Sequence, residues 1–372
     1  MEKKLPYLQI SRAIAALIVV VHHVSGAGTF YLNFNPLGGV FMVGWNGVDF
    51  FFVLSGFIIY YIHSKDLGKR AEWKRYMLKR LIRIYPIYWV IAAVSLAFLL
   101  TGNRNISDPS LAGNMLRPVY LIKSLLLIAQ DTYPFVKVAW SLCYEMFFYV
   151  MFGLCILFGR RSGLIFIFCY LVLLCCQVFH LFAIPENSPF SFPSSNYNLE
   201  FLIGIFVAWC FKLVESGRLG IFSKKWAARL FLGAGLLIFL GAWRHSLEFQ
   251  PNFGKFSIYT RVFYGIPSGL ILFGIANLKL SKVNRFTGFL LLLGDASYVL
   301  YLVHPLVLAV LFKVILRTGF YGTPILNYGI SLFAFLACVA TGILLHKKVE
   351  SAILKYLNLR LIRRSFLPVR GS

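Results

Sequence analysis

The chain has 372 residues, of which 59% are hydrophobic and 13% charged, and its mean hydropathy is +0.76. A soluble domain carries about a quarter charged residues, so a water-soluble fold of this length is excluded and a bilayer-embedded one is implied. The net charge of +24 sits between apolar runs, which points to membrane topology and anionic lipid and away from nucleic acid.

Apolar runs of roughly 20 residues predict an all-α polytopic membrane protein with about ten transmembrane helices. They fall near 9–25, 40–62, 84–100, 136–158, 164–184, 199–214, 227–243, 262–278, 298–316 and 325–345. The segment 119–130 is apolar but too short to span and carries Lys123, so it is expected to be interfacial or re-entrant. The transmembrane domain is set at 1–346. A basic tail, 347–372, is expected to form a helix along the membrane surface. Lys3, Lys4 and Arg12 ahead of the run 13–21, with Ser25-Gly26-Ala27 after it, also fit a signal peptide. Cleavage there would remove Arg12 and His23.

Loop cations set the orientation. Lys65, Lys69, Arg70, Lys74, Arg75, Lys79, Arg80 and Arg83 lie between spans two and three. Arg160 and Arg161 follow span four, and Lys212, Arg218, Lys224, Lys225 and Arg229 follow span six. Lys279, Lys282 and Arg285 follow span eight, whereas 26–39 and 185–196 carry no Lys or Arg. Both termini are therefore expected in the cytoplasm. The seven cysteines lie in apolar segments without a C-x-x-C pair, which argues for small buried hydrophobes and against disulfides or a metal site.

Ionisable groups inside a span are costly and need a reason. Arg12 and His23 share one face of the first span, about 16 Å apart along its axis; His22 points away from that stripe. Arg12 lies near the cytoplasmic end, His23 near the outer end. Taken singly, a snorkelling arginine and a packing histidine would account for them. Asp49, at a depth similar to His23, either orients that imidazole or caps its own helix. Ser55 and Gly56 permit close helix approach. Arg80 and Arg83, at i,i+3, can face one way and clamp phosphate, or simply mark a cytoplasmic loop. Ser141, Glu145 and Tyr149 form a polar stripe on span four. Glu200 opens span six and orients substrate or caps the helix. Ser297, Tyr301 and His304 share a face of span nine, preceded by Asp295 in a capping position and followed by Pro305. This face lines a channel, or reflects capping and a kink.

The chain resembles the membrane-bound acyltransferase family 3, whose members acylate bacterial surface glycans. The resemblance rests on Arg12 and His23 with ten residues between, Gly-Val-Asp-x-Phe-Phe-x-x-Ser-Gly-Phe at 47–57, and Arg80-x-x-Arg83-Ile-Tyr-Pro. Trp140-Ser-Leu-x-x-Glu145-x-x-Phe-Tyr and Gly294-Asp-Ala-Ser-Tyr-x-Leu-Tyr-Leu-x-His304 complete it. It implies about ten helices in the bacterial inner membrane, acyl-CoA as cytoplasmic co-substrate with no permanently bound cofactor, and a glycan or glycolipid acceptor at the outer face. The family's arginine and histidine of the first span fall on Arg12 and His23, and its basic pair on Arg80 and Arg83.

The mechanism expected on these grounds is acetyl transfer from acetyl-CoA docked on Arg80, Arg83 and neighbouring cations. Arg12 helps hold the donor, His23 is the general base and Asp49 assists it. Arg12 and His23 are expected to line a single pore. Ser141, Glu145, Ser297, Tyr301 and His304 would orient substrate or line the channel, and the loops 185–197 and 244–261 would meet the acceptor. A flippase for an anionic glycolipid and a non-catalytic membrane subunit are the rival readings.

Overall fold

A computed structural model describes residues 5–100, 117–130, 132–178, 192–249, 258–278 and 283–363. Described residues fold into helices without strands, as lipid demands of any backbone that must satisfy its own polar groups. In chain order these are α1 (Pro6–Leu32), α2 (Gly47–His63), α3 (Arg70–Leu100), α4 (Pro118–Leu125), α5 (Trp140–Phe158) and α6 (Arg160–Val178). Then come α7 (Asn198–Glu215), α8 (Lys225–Phe249), α9 (Ile258–Asn277), α10 (Arg285–Thr318), α11 (Pro324–Leu345) and α12 (Ser351–Leu357).

The ends of these helices follow local chemistry. Proline opens α1, α4 and α11, where its missing N–H is no loss. Asn284 and Thr287 form a reciprocal capping box at the start of α10. Asn33 closes α1 in the left-handed conformation.

Among the described residues, eight segments are long and apolar enough to cross a membrane. α6 and α7 occupy the positions expected of spans five and six. α7 misses that apolar criterion because Glu200, Lys212 and Glu215 lie within its 18 residues. The protein is therefore an all-α polytopic membrane protein. The buried face of α1 packs on α10 and α11 through Ala16, Val20 and Val24.

The segment 119–130 folds as the eight-residue α4 and a turn. Its last carbonyls are taken by α3: Tyr88 donates to Ser124 O at 2.6 Å, Trp89 to Leu125 O at 2.9 Å and Tyr85 to Leu126 O at 2.7 Å. Such end carbonyls have no partner within a helix. Part of the basic tail continues α11 as a π turn at His346–Glu350, then α12, then a second π turn at Asn358–Arg363. The expected acceptor loops are partly helix, since α8 runs to Phe249 and α9 starts at Ile258. Their remainders, 185–191 and 250–257, lie outside the described residues, as do the expected span residues 179–184.

α2 packs on α7 with the two backbones in close approach. A Cβ on Gly56 would lie 2.1 Å from Phe201 O, and one on Gly204 2.0 Å from Val53 O. Only two glycines let these backbones touch. That contact, and the packing of α1 on α10, fixes the helices that carry the polar side chains.

Candidate active site

Helices α1, α2, α3, α5 and α10 enclose a polar cavity of about 150 Å³. Its walls carry Arg12, Ser55, Arg80, Arg83, Ser141, Glu145, Tyr149, Ser297 and Tyr301, separated by apolar side chains such as Phe51, Leu54 and Ile84. Residues singled out on five separate sequence stretches therefore converge. Three guanidinium groups face one carboxylate, so the shaft carries a positive field, and apolar walls concentrate it.

Most of these groups are held by specific partners. Arg12 donates to Gln9 Oε1 one turn away, at 3.1 Å. Glu145 Oε1 accepts from Ser55 Oγ at 3.0 Å and also from the Tyr149 hydroxyl. The Ser141 and Tyr301 hydroxyls are 2.8 Å apart, and Tyr301 donates to Val138 O at 2.9 Å. Ser297 donates to Gly294 O within its own helix. Arg83 is bound from the tail: Glu350 Oε1 accepts from it at 2.7 Å, while Glu350 Oε2 lies 2.6 Å from His346 Nδ1.

Arg80 is fixed by a chain of side chains that the sequence reading did not single out. Its Nη2 lies 3.3 Å from His63 Nε2. An arginine can only donate, so this ring nitrogen accepts and Nδ1 carries the proton. Nδ1 then donates to Asp66 Oδ2 at 2.8 Å. Asp66 thus sets the tautomer of buried His63, and His63 aims Arg80. The His63 and Asp66 spacing at i,i+3 is visible in the sequence, but their use on Arg80 is not.

His304 and then His23 follow on from Tyr301, which lines the shaft. The Tyr301 and His304 rings are 6.0 Å apart and the His304 and His23 rings 4.7 Å, with His22 a further 5.0 Å from His23. Each imidazole lies within hydrogen-bond distance of a carbonyl through Nδ1: His23 with Val19 O at 2.9 Å, His304 with Leu300 O at 3.1 Å and His22 with Phe41 O at 3.1 Å. A carbonyl only accepts, so Nδ1 carries the hydrogen and Nε2 is the basic nitrogen of each neutral ring. Arg12 faces the shaft; His23 joins the histidine cluster past Tyr301.

Asp49 is the clearest departure from expectation. It does not adjoin His23. It forms an ion pair with Arg261 of α9, which also contacts Glu200 Oε1 of α7 at 3.3 Å. All three are completely buried. The Arg261 guanidinium lies 4.1 Å from the centre of the Tyr197 ring. The reason is topological: the first turn of α2 faces α7 and α9, and a buried cation there draws in both carboxylates. In the sequence Arg261 ends the segment 244–261, which reads as a loop. The signal was a lone arginine at the head of an apolar run, which demanded a partner.

The cysteines among the described residues are free thiols. No group of three or more His, Cys, Asp or Glu side chains among them could hold a metal ion.

The fold and site define a membrane-embedded protein in which a cationic shaft leads from a basic end towards a cluster of imidazoles. Comparison places it more closely: the family of acyltransferase domains matches residues 5–345, and the chain belongs to that family, acyltransferase family 3. It is similar to the exopolysaccharide production protein ExoZ of Rhizobium meliloti, at 26% identity over 83% of this chain and 90% of that protein. A Bacillus subtilis protein, YrhL, provisionally named a peptidoglycan O-acetyltransferase, is 25% identical over 58% of this chain and 35% of its own length. Staphylococcus aureus proteins provisionally named O-acetyltransferases are 29% identical over 40% of this chain and 24% of theirs. This chain thus matches only about a third or a quarter of those longer proteins. No solved structure matches it.

Proposed function

We propose that this acyltransferase-family protein moves an acetyl group from cytoplasmic acetyl-CoA to a hydroxyl of a cell-surface or lipid-linked glycan at the outer face of the bacterial inner membrane. The observation that carries this reading is the line of polar groups from Arg80 through the shaft to Tyr301, His304 and His23. The donor's phosphates bind at Arg80 and Arg83, both on the basic end. Its extended arm enters between Glu145, Ser297 and Tyr301 with Arg12 alongside. His23 Nε2 removes the proton from the acceptor hydroxyl as that oxygen attacks the thioester carbonyl. The tetrahedral adduct collapses, the C–S bond breaks, and the leaving thiolate takes up a proton. His304 supplies a second basic nitrogen beside the first. Asp49 is assigned to holding Arg261, and so α2, α7 and α9, in place.

The names of the similar proteins, which refer to exopolysaccharide production and O-acetylation, support a glycan as acceptor. The test is thiol release by purified protein given acetyl-CoA and an exopolysaccharide fraction. Thiol should appear only with both substrates and vanish in His23→Ala. A flippase or a non-catalytic subunit would release none under any condition, and that result refutes the reading.

A further inference from the structure

A second cavity, of about 570 Å³, opens at the basic end between the close of α2 and the first turns of α3. Its walls carry Lys65, Arg75 and Lys79 against Asp66 and Glu72. Asp66 accepts from His63 at 2.8 Å and Glu72 lies 3.7 Å from Arg75; three cations against two carboxylates leave the wall a positive balance. Arg80, a further cation, stands directly behind it.

The position of this cavity gives it meaning. Its inner wall is formed by buried His63 and Tyr76. His63 hydrogen-bonds Arg80, and the Tyr76 ring centre lies 5.9 Å from the guanidinium. Arg80 lines the shaft on its other side, beside Tyr149. The partition between the two cavities is thus one arginine and the two side chains that hold it. A ligand with its diphosphate on Arg80 and an arm in the shaft would place whatever lies beyond the diphosphate in the second cavity.

We infer that this cavity is a subsite for the 3′-phosphorylated ribose of the acyl donor, with Lys65, Arg75 and Lys79 as the phosphate-binding cations. The inference rests on the donor reading above. Coenzyme A runs in the required order: thioester arm, diphosphate, ribose with its 3′-phosphate. A phosphate dianion is matched by several cations at once, and charge-assisted bonds of this kind discriminate strongly against a ligand lacking the group.

The test is binding of adenosine 3′,5′-bisphosphate and of 5′-AMP to the full chain in phosphatidylcholine nanodiscs, paired with kinetics on acetyl-CoA and acetyl-3′-dephospho-CoA. Wild type should favour the 3′-phosphorylated nucleotide, and show a lower KM for acetyl-CoA than for its dephospho form, each by about tenfold or more. The triple variant Lys65→Ala/Arg75→Ala/Lys79→Ala should lose both preferences at unchanged kcat. Lys65→Ala alone, at an exposed position, should lose part of them with an unchanged melting temperature. Equal affinity for the two nucleotides in wild type overturns the inference, as does a triple variant that keeps the preference. A cavity that serves only anionic lipid would bind neither nucleotide, which also overturns it. Selective nucleotide binding without thioester turnover would refute the donor reading and leave the subsite standing. Turnover of both donors with one KM would do the reverse.

Discussion

Four imidazoles, three held by backbone carbonyls and His63 by a carboxylate, and four buried or half-buried arginines carry most of the chemistry here. His23 has its tautomer set by a carbonyl of its own helix, which leaves Nε2 as the basic nitrogen. Replacing His23 with Ala should lower the transfer rate by about 10²–10⁴-fold while the protein stays folded in the membrane; a rate near wild type would exclude it as base. His63 acts on Arg80. His63→Ala should raise the donor KM more than it lowers kcat. His63→Gln, whose carbonyl can still accept from Arg80, should restore part of it, which steady-state kinetics with varied acetyl-CoA would read. Arg261 is buried between two carboxylates. Arg261→Met leaves them uncompensated at a cost of about 3–5 kcal/mol, visible as a lowered melting temperature in detergent. At this scale the sequence was legible wherever partners share a helix, as in the Arg12 and His23 stripe or the Ser141, Glu145 and Tyr149 stripe. It was illegible where the partner comes from a distant helix. Asp49 looked like a partner for His23 because both lie at similar depth, and nothing local announced Arg261.

Helix existence was readable because a lipid-facing helix is a long apolar run, and α1, α2, α5 and α11 fall close to the predicted spans; α10 instead begins at Arg285 with Asn284 as its cap, which puts Asp295 inside the helix and not at its expected capping position. Helix neighbours were less readable. The Ser55 and Gly56 pair marked α2 as a close-packing helix, but only the structure reveals that the facing surface is Gly204 on α7. Gly204→Leu would force a side chain into Val53 O and should cost about 1–3 kcal/mol or more. Gly233→Leu on α8, where nothing lies within 4 Å of the new Cβ, should be tolerated. Thermal unfolding of both variants measures the contrast, and equal melting temperatures would contradict the packing account. α4 was recognisable as too short to span. Its anchoring by Tyr85, Tyr88 and Trp89 through carbonyls was not, since aromatic residues in a span have several other uses.

For the whole molecule, a charge of +24 on a chain that is 59% hydrophobic has two consequences. On the proposed reading it orients the helices through the loop cations and supplies a basic end at which an anionic donor would collect. The central claim joins these: the donor enters at the end bearing Arg80 and Arg83, and the acetyl group leaves at the other. Proteoliposomes with the basic end outward, labelled acetyl-CoA outside and glycan acceptor trapped within, test it most directly. The account predicts label on the enclosed glycan, lost in Arg80→Ala and in His23→Ala. Label appearing only when donor and glycan share one compartment would contradict it.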